Sequence, residues 1–162
     1  MLSIGIHAST WKAARFGYAL GGTTGTNSLV ADCTTFATQT TAALASANLS
    51  LARRYPAGFS DGARFGYTVG GFTGNNSLVA DCTTFATQAT AALTSANLSL
   101  ARQYLAGFSD GARFGYAVGG DTGSNSLVAD CTTFATQATA ALTSANLSLA
   151  RHGSASFSDY NV

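Results

Sequence analysis

Glutamate is missing from this chain altogether, and lysine occurs once, at Lys12. Both residues are favoured on the solvent faces of helices, so their near absence speaks against an all-helical protein. Charged side chains make up only 9% of the 162 residues and the net charge is +1, which leaves no basic footprint for nucleic acid and no acidic tail. No apolar run approaches the roughly 20 residues of a membrane span, because Gly, Ser, Thr or Arg interrupts each one. The first residues, Met1 to His7, lack the basic start and the apolar stretch of a signal peptide. Histidine appears only as His7 and His152, with no His–Cys or His–Asp spacing suited to a metal.

What fills the chain instead is Gly, Thr, Ser, Ala and Asn, the vocabulary of turn-rich β-structure. The length suits one domain with its own core. The dominant feature is a 49-residue tandem repeat. Arg15-Phe16-Gly17-Tyr18 recurs as Arg64-Phe65-Gly66-Tyr67 and as Arg113-Phe114-Gly115-Tyr116. The pairs Gly21-Gly22, Gly70-Gly71 and Gly119-Gly120 keep step with it, as do Asp32, Asp81 and Asp130. These landmarks divide the chain into an N-terminal arm (1–14), repeats at 15–63 and 64–112, and a third repeat with a closing strand at 113–162.

Each copy is cut by turn signals into four short segments. The first, Tyr55 to Ser60, ends at Asp61-Gly62, a two-residue hairpin signal. In the second, Phe65, Tyr67 and Val69 alternate with smaller residues up to Gly70-Gly71. After a polar loop, the third runs from Leu78 to Thr87. The fourth, Thr90 to Leu100, has helix-compatible apolar positions, but its Thr, Ser and Asn content favours a strand. Four strands in 49 residues is the length of one propeller blade.

The run Leu-Ala-Arg, apolar strand, Asp-Gly, aromatic strand, Gly-Gly resembles a kelch repeat. It is more similar still to the kelch-like Phe-Ala-Thr and Gly-Tyr-x-x-Gly-Gly repeats of uncharacterised bacterial and phage proteins. The kelch tryptophan before the fourth strand is absent, with Ala42, Ala91 and Ala140 nearby. The resemblance covers nearly the whole chain and implies an all-β propeller, here with three blades per chain, set in a virion tail or adhesion part. The odd count of copied cysteines favours a cytoplasmic origin or a route that avoids the secretory pathway. None of the copper ligands of the oxidase built on such a propeller is identifiable, so no enzyme activity and no cofactor are expected.

Closed propellers usually have four to eight blades, and three leave two open edges that invite pairing. A homodimer closing a six-bladed ring is therefore expected. The C-terminal segment from Ser154 to Tyr160 should cross the seam and pair beside Phe16 to Leu20 of the neighbour. Ala155, Phe157 and Asp159 repeat Ala106, Phe108 and Asp110 there, and residues 1–12 should be left outside.

Asp32, Asp81 and Asp130 are read first as turn or arginine partners and second as cation ligands facing a channel. Cys33, Cys82 and Cys131, one per copy, read as buried reduced thiols, since a disulfide needs Cα atoms within about 7 Å. Positions that differ between copies mark a candidate recognition face. They are Thr23, Phe72 and Asp121; Thr26, Asn75 and Ser124; and Arg54, Gln103 and His152. Such a face suits other virion proteins or a surface glycan, although exposed loops also drift neutrally. The alternatives are a carbohydrate-binding lectin-like propeller and an engineered or fragmentary propeller with no function of its own.

Overall fold

The computed structural model of the chain describes residues 14–159, and its regular structure is almost entirely β. Strands β1 (Phe16–Leu20), β2 (Ala31–Thr35) and β3 (Thr40–Ala43) form a first antiparallel sheet. A second contains β4 (Ala57–Ser60), β5 (Phe65–Val69), β6 (Ala80–Thr84) and β7 (Ala89–Ala92). A third repeats it as β8 (Ala106–Ser109), β9 (Phe114–Val118), β10 (Ala129–Thr133) and β11 (Ala138–Ala141). The N-terminal arm up to residue 13, expected to be left outside the ring, lies outside the described residues, as does Tyr160.

The second sheet shows why this sequence makes strands that bury both faces. Register places Phe59, Tyr67, Cys82 and Ala91 in one cross-strand row. That row meets the third sheet, where Tyr67 stacks on Phe134 at 5.5 Å and on Phe59 at 5.4 Å. The opposite face carries Thr68, Asp81 and Thr83, all buried, and Phe85 stacks from it on Tyr18 of the first sheet at 5.7 Å. Each sheet thus turns an aromatic row towards the next and a polar row towards the one before. The larger apolar core joins the second and third sheets, with Val69, Leu98, Leu105, Ala117 and Phe134 in contact.

Three local expectations change. The Asp-Gly signals do not make two-residue turns. Asp61 Oδ1 accepts the N–H groups of Ala63, Arg64 and Phe65, so the carboxylate organises a wider loop around Gly62. The fourth strand stops at Ala92 and gives way to a 3-10 turn, Thr94–Ala96. Asn97 ends that turn by accepting the Ala80 N–H with Oδ1, at 2.9 Å. Sheets run from Ala57 to Ala92 and from Ala106 to Ala141, so a cut at Arg64 or Arg113 separates β4 from β5 and β8 from β9.

Strands β4 and β8 run side by side. A Cβ on Gly107 of β8 would lie 2.5 Å from the carbonyl oxygen of Gly58 in β4, a backbone atom that cannot step aside. A Cβ on Gly58 itself would meet nothing closer than the Tyr67 carbonyl oxygen at 3.7 Å. Gly107→Ala should therefore lower stability by roughly 1–3 kcal/mol through overpacking, while Gly58→Ala stays close to wild type. Urea unfolding midpoints of the two variants measure the difference.

Candidate functional site

The sequence leaves little to work with chemically, so the charged groups that are buried carry the most information. Arg53 and Arg102 sit in the links that leave the first and second sheets, and both are fully buried. Each guanidinium reaches forward into the following sheet. Arg53 Nη1 lies 2.8 Å from Asp81 Oδ2, and Arg102 Nη2 lies 2.5 Å from Asp130 Oδ2. Around these ion pairs the backbone supplies acceptors: Arg53 donates to Thr68 O, and Arg102 donates to Gly119 O and Val128 O. The Ser99 N–H adds a donor to Asp130 at 3.3 Å. Burial pulls both arginine pKa values down, and the aspartate opposite each pulls back in the other direction. Asp81 and Asp130 are therefore arginine partners, the first of their two expected roles. Asp32, the third of the set, is half-buried and has no arginine beside it among the described residues.

A second group of contacts crosses the same junctions. Gln88 Nε2 donates to Tyr18 Oη at 3.3 Å and approaches Cys33 Sγ at 3.8 Å, and Gln137 repeats this towards Tyr67 and Cys82. The cysteines are free and half-buried rather than largely buried, each paired towards the end of its cross-strand row with a small residue, Ala42, Ala91 or Ala140, that covers little of it. Desolvation pushes the Cys82 thiol up to about 11, with Asp61 and Asp81 adding to it. Among the described residues no three His, Cys, Asp or Glu side chains converge as a metal site would require.

The copy-to-copy differences fall on a loop face, and the structure pairs some of them. Arg54 exchanges backbone hydrogen bonds with Phe72, and Gln103 does so with Asp121. The Arg54 guanidinium stands 4.7 Å over the Phe72 ring and 5.3 Å over Tyr55. His152 donates from Nδ1 to Asn125 Oδ1 at 2.6 Å and tilts against Tyr104. Thr23, Thr26, Asn75 and Ser124 are exposed at the loop tips and are not drawn into these contacts. Sequence reasoning overlooked Tyr55 and Tyr104, whose rings stack at 4.1 Å beside this face. Their φ values of 58° and 55° lie in the left-handed region, which nothing in a tyrosine advertises.

Of the expected closing residues, Ala155 and Asp159 are exposed and Phe157 is 92% exposed. Residues 154–159 form no ladder within the single chain. They lie along β8 through Ser156 and Ser158 hydroxyls donating to Gly107 O and Ser109 O. β8 itself is the terminal strand of its sheet, with β9 as its one ladder partner.

Arg102→Met should cost about 3–5 kcal/mol, since it leaves Asp130 buried without a counter-charge. Replacing both partners, Arg102→Met with Asp130→Leu, should recover most of that loss in the same urea titration. At pH 8 the folded Cys82 should alkylate slowly. A rise of about two units from an ordinary thiol leaves roughly a hundredfold less thiolate, and labelling should become fast on denaturation. Mass spectrometry of timed alkylation reads both rates.

Comparison of the chain with protein-family models and with curated proteins finds no match to either.

Proposed function

We propose that the chain is a non-enzymatic structural and binding module, a β-propeller whose sheets serve as blades and which self-associates to complete its ring. Two chains making six blades is the simplest closure. The observation that carries this reading is the geometry of the inner strands. The Tyr104 N–H donates to Tyr55 O, and 49 residues later the Gly153 N–H donates to Tyr104 O. Equivalent positions of consecutive copies thus lie side by side, which is how the inner strands of blades surround an axis. Residues 154–159 continue the series beyond β8 without outer strands of their own, while β1 opens the first sheet without a described inner strand. One chain therefore presents what the other end of a second chain needs.

In this reading the loop face is the surface open to other molecules, either companion proteins of a virion or a surface glycan. The glycan version has a specific observation in its favour. The stacked Tyr55 and Tyr104 rings, with Arg54 and Phe72 beside them, offer flat apolar faces next to hydrogen-bonding groups. Retardation on immobilised glycans that is lost in Tyr104→Ala would support it.

The ring itself is tested by native mass. Sedimentation equilibrium should return a multiple of the 16.4 kDa chain, twice that value for six blades. A species that stays at one chain at high concentration removes ring completion by self-association.

A further inference from the structure

The internal junctions follow one rule: the arginine in the link after a sheet is buried against the aspartate of the next sheet. Arg53 meets Asp81, and Arg102 meets Asp130. The rule leaves one member over on each side. Arg151, the third arginine of the series, is exposed, and its Nε donates a hydrogen bond to Ser154 Oγ. Asp32, the first aspartate, has no cation beside it among the described residues. In the N-terminal arm, Ile4 stands where Arg53, Arg102 and Arg151 stand in the other copies, so the repeat itself places no arginine there.

On the reading that the chain self-associates, we infer that two copies join head to tail, with Arg151 of one subunit buried against the partner subunit's Asp32. The contact is heterologous, and it closes a ring when both ends are used. The same displacement fixes the rest of the seam. In the third sheet Phe108 pairs with Tyr116 and stacks on it at 5.2 Å. Moved on by one copy, the exposed Phe157 faces the partner subunit's Tyr18 in β1, and Ala155 faces the partner subunit's Leu20. A groove of about 340 Å³ between β1 and β4 is lined by Tyr18, Leu20, Gly58 and Phe59, on the side where this strand enters.

Asp159 supplies a second charge match. Asp61 and Asp110 each collect the N–H groups of three residues that lead into the following strand. Asp159 is positioned to do this for the residues leading into the partner's β1, where the arm's own counterpart is Lys12, of the wrong charge. Both charged residues that the first sheet lacks are thus present at the C-terminal side, 49 residues after their last use.

The test measures native mass for the wild-type chain, for Arg151→Asp, for Asp32→Arg, and for an equal mixture of the two variants. Far-UV circular dichroism checks that each variant folds. The wild type should assemble and each variant alone should run as a single chain. Mixing should recover a two-chain species, because one variant keeps Arg151 and the other keeps Asp32, so one native seam can form. If either variant alone retains the wild-type mass, or the mixture stays single, this seam is wrong while self-association stands on the wild-type result. A single-chain wild type overturns self-association itself and the seam with it. Should Asp32→Arg not fold, Asp32→Asn removes the charge without adding bulk, and the same outcomes decide.

Discussion

An arginine buried to zero exposure must find a counter-charge, and in this protein Arg53 and Arg102 each find it in the next sheet. Arg53 and Arg102 begin in one copy of the repeat and end in another, so neither copy can satisfy its own buried charge. That requirement sets the spacing and orientation of adjacent sheets more sharply than apolar contact alone. A slide of a few ångströms would leave both ions desolvated and unpaired. The guanidinium also binds backbone carbonyls at the strand ends, which ties the side-chain pair to the position of the sheet itself.

The other features follow from having sheets sandwiched by neighbours. With both faces buried, a strand cannot show a simple apolar–polar alternation, and here the second row is made of Thr, Asp and Ser that find partners within the protein. Thr83 and Thr90 hydroxyls bond each other at 2.7 Å across the strands, and Thr132 and Thr139 do likewise at 2.6 Å. The opposite row is aromatic and contributes stacking, typically about 0.5–1.5 kcal/mol per pair beyond the area it buries. The composition that looked poor in charge is therefore rich in groups able to pair at short range. The same arrangement makes the two outer sides of the array unlike each other, one aromatic and one polar, which favours head-to-tail contact over a symmetric pair of like faces.

In the proposed reading, function rests on surfaces. The loop face gathers most of the variation between copies, yet Arg54 with Phe72 and Gln103 with Asp121 show that part of this variation sits across junctions. There a change on one side has a partner on the other. The stacked tyrosines at the edge of this face hold a left-handed backbone that costs of order 1–3 kcal/mol each, a strain the close packing of β4 on β8 sustains.

Repeat length, strand content and the breaks at the glycine pairs were legible in the residues themselves, because glycine pairs and alternating aromatics act over a few positions and need no distant partner. The sequence also carried the pairing of Asp81 and Asp130 with arginine as one of two open roles, but not which arginine. That choice was made by the packing of one sheet on the next, since Arg53 and Asp81 belong to different copies. The half-burial of the cysteines, the wider loop at Asp61 and the 3-10 turn after Ala92 were likewise hidden. Each depends on which hydrogen-bond partner a side chain meets once the sheets are stacked. So it was with the tyrosine stack, formed by two residues 49 positions apart that only the closeness of β4 and β8 brings into contact.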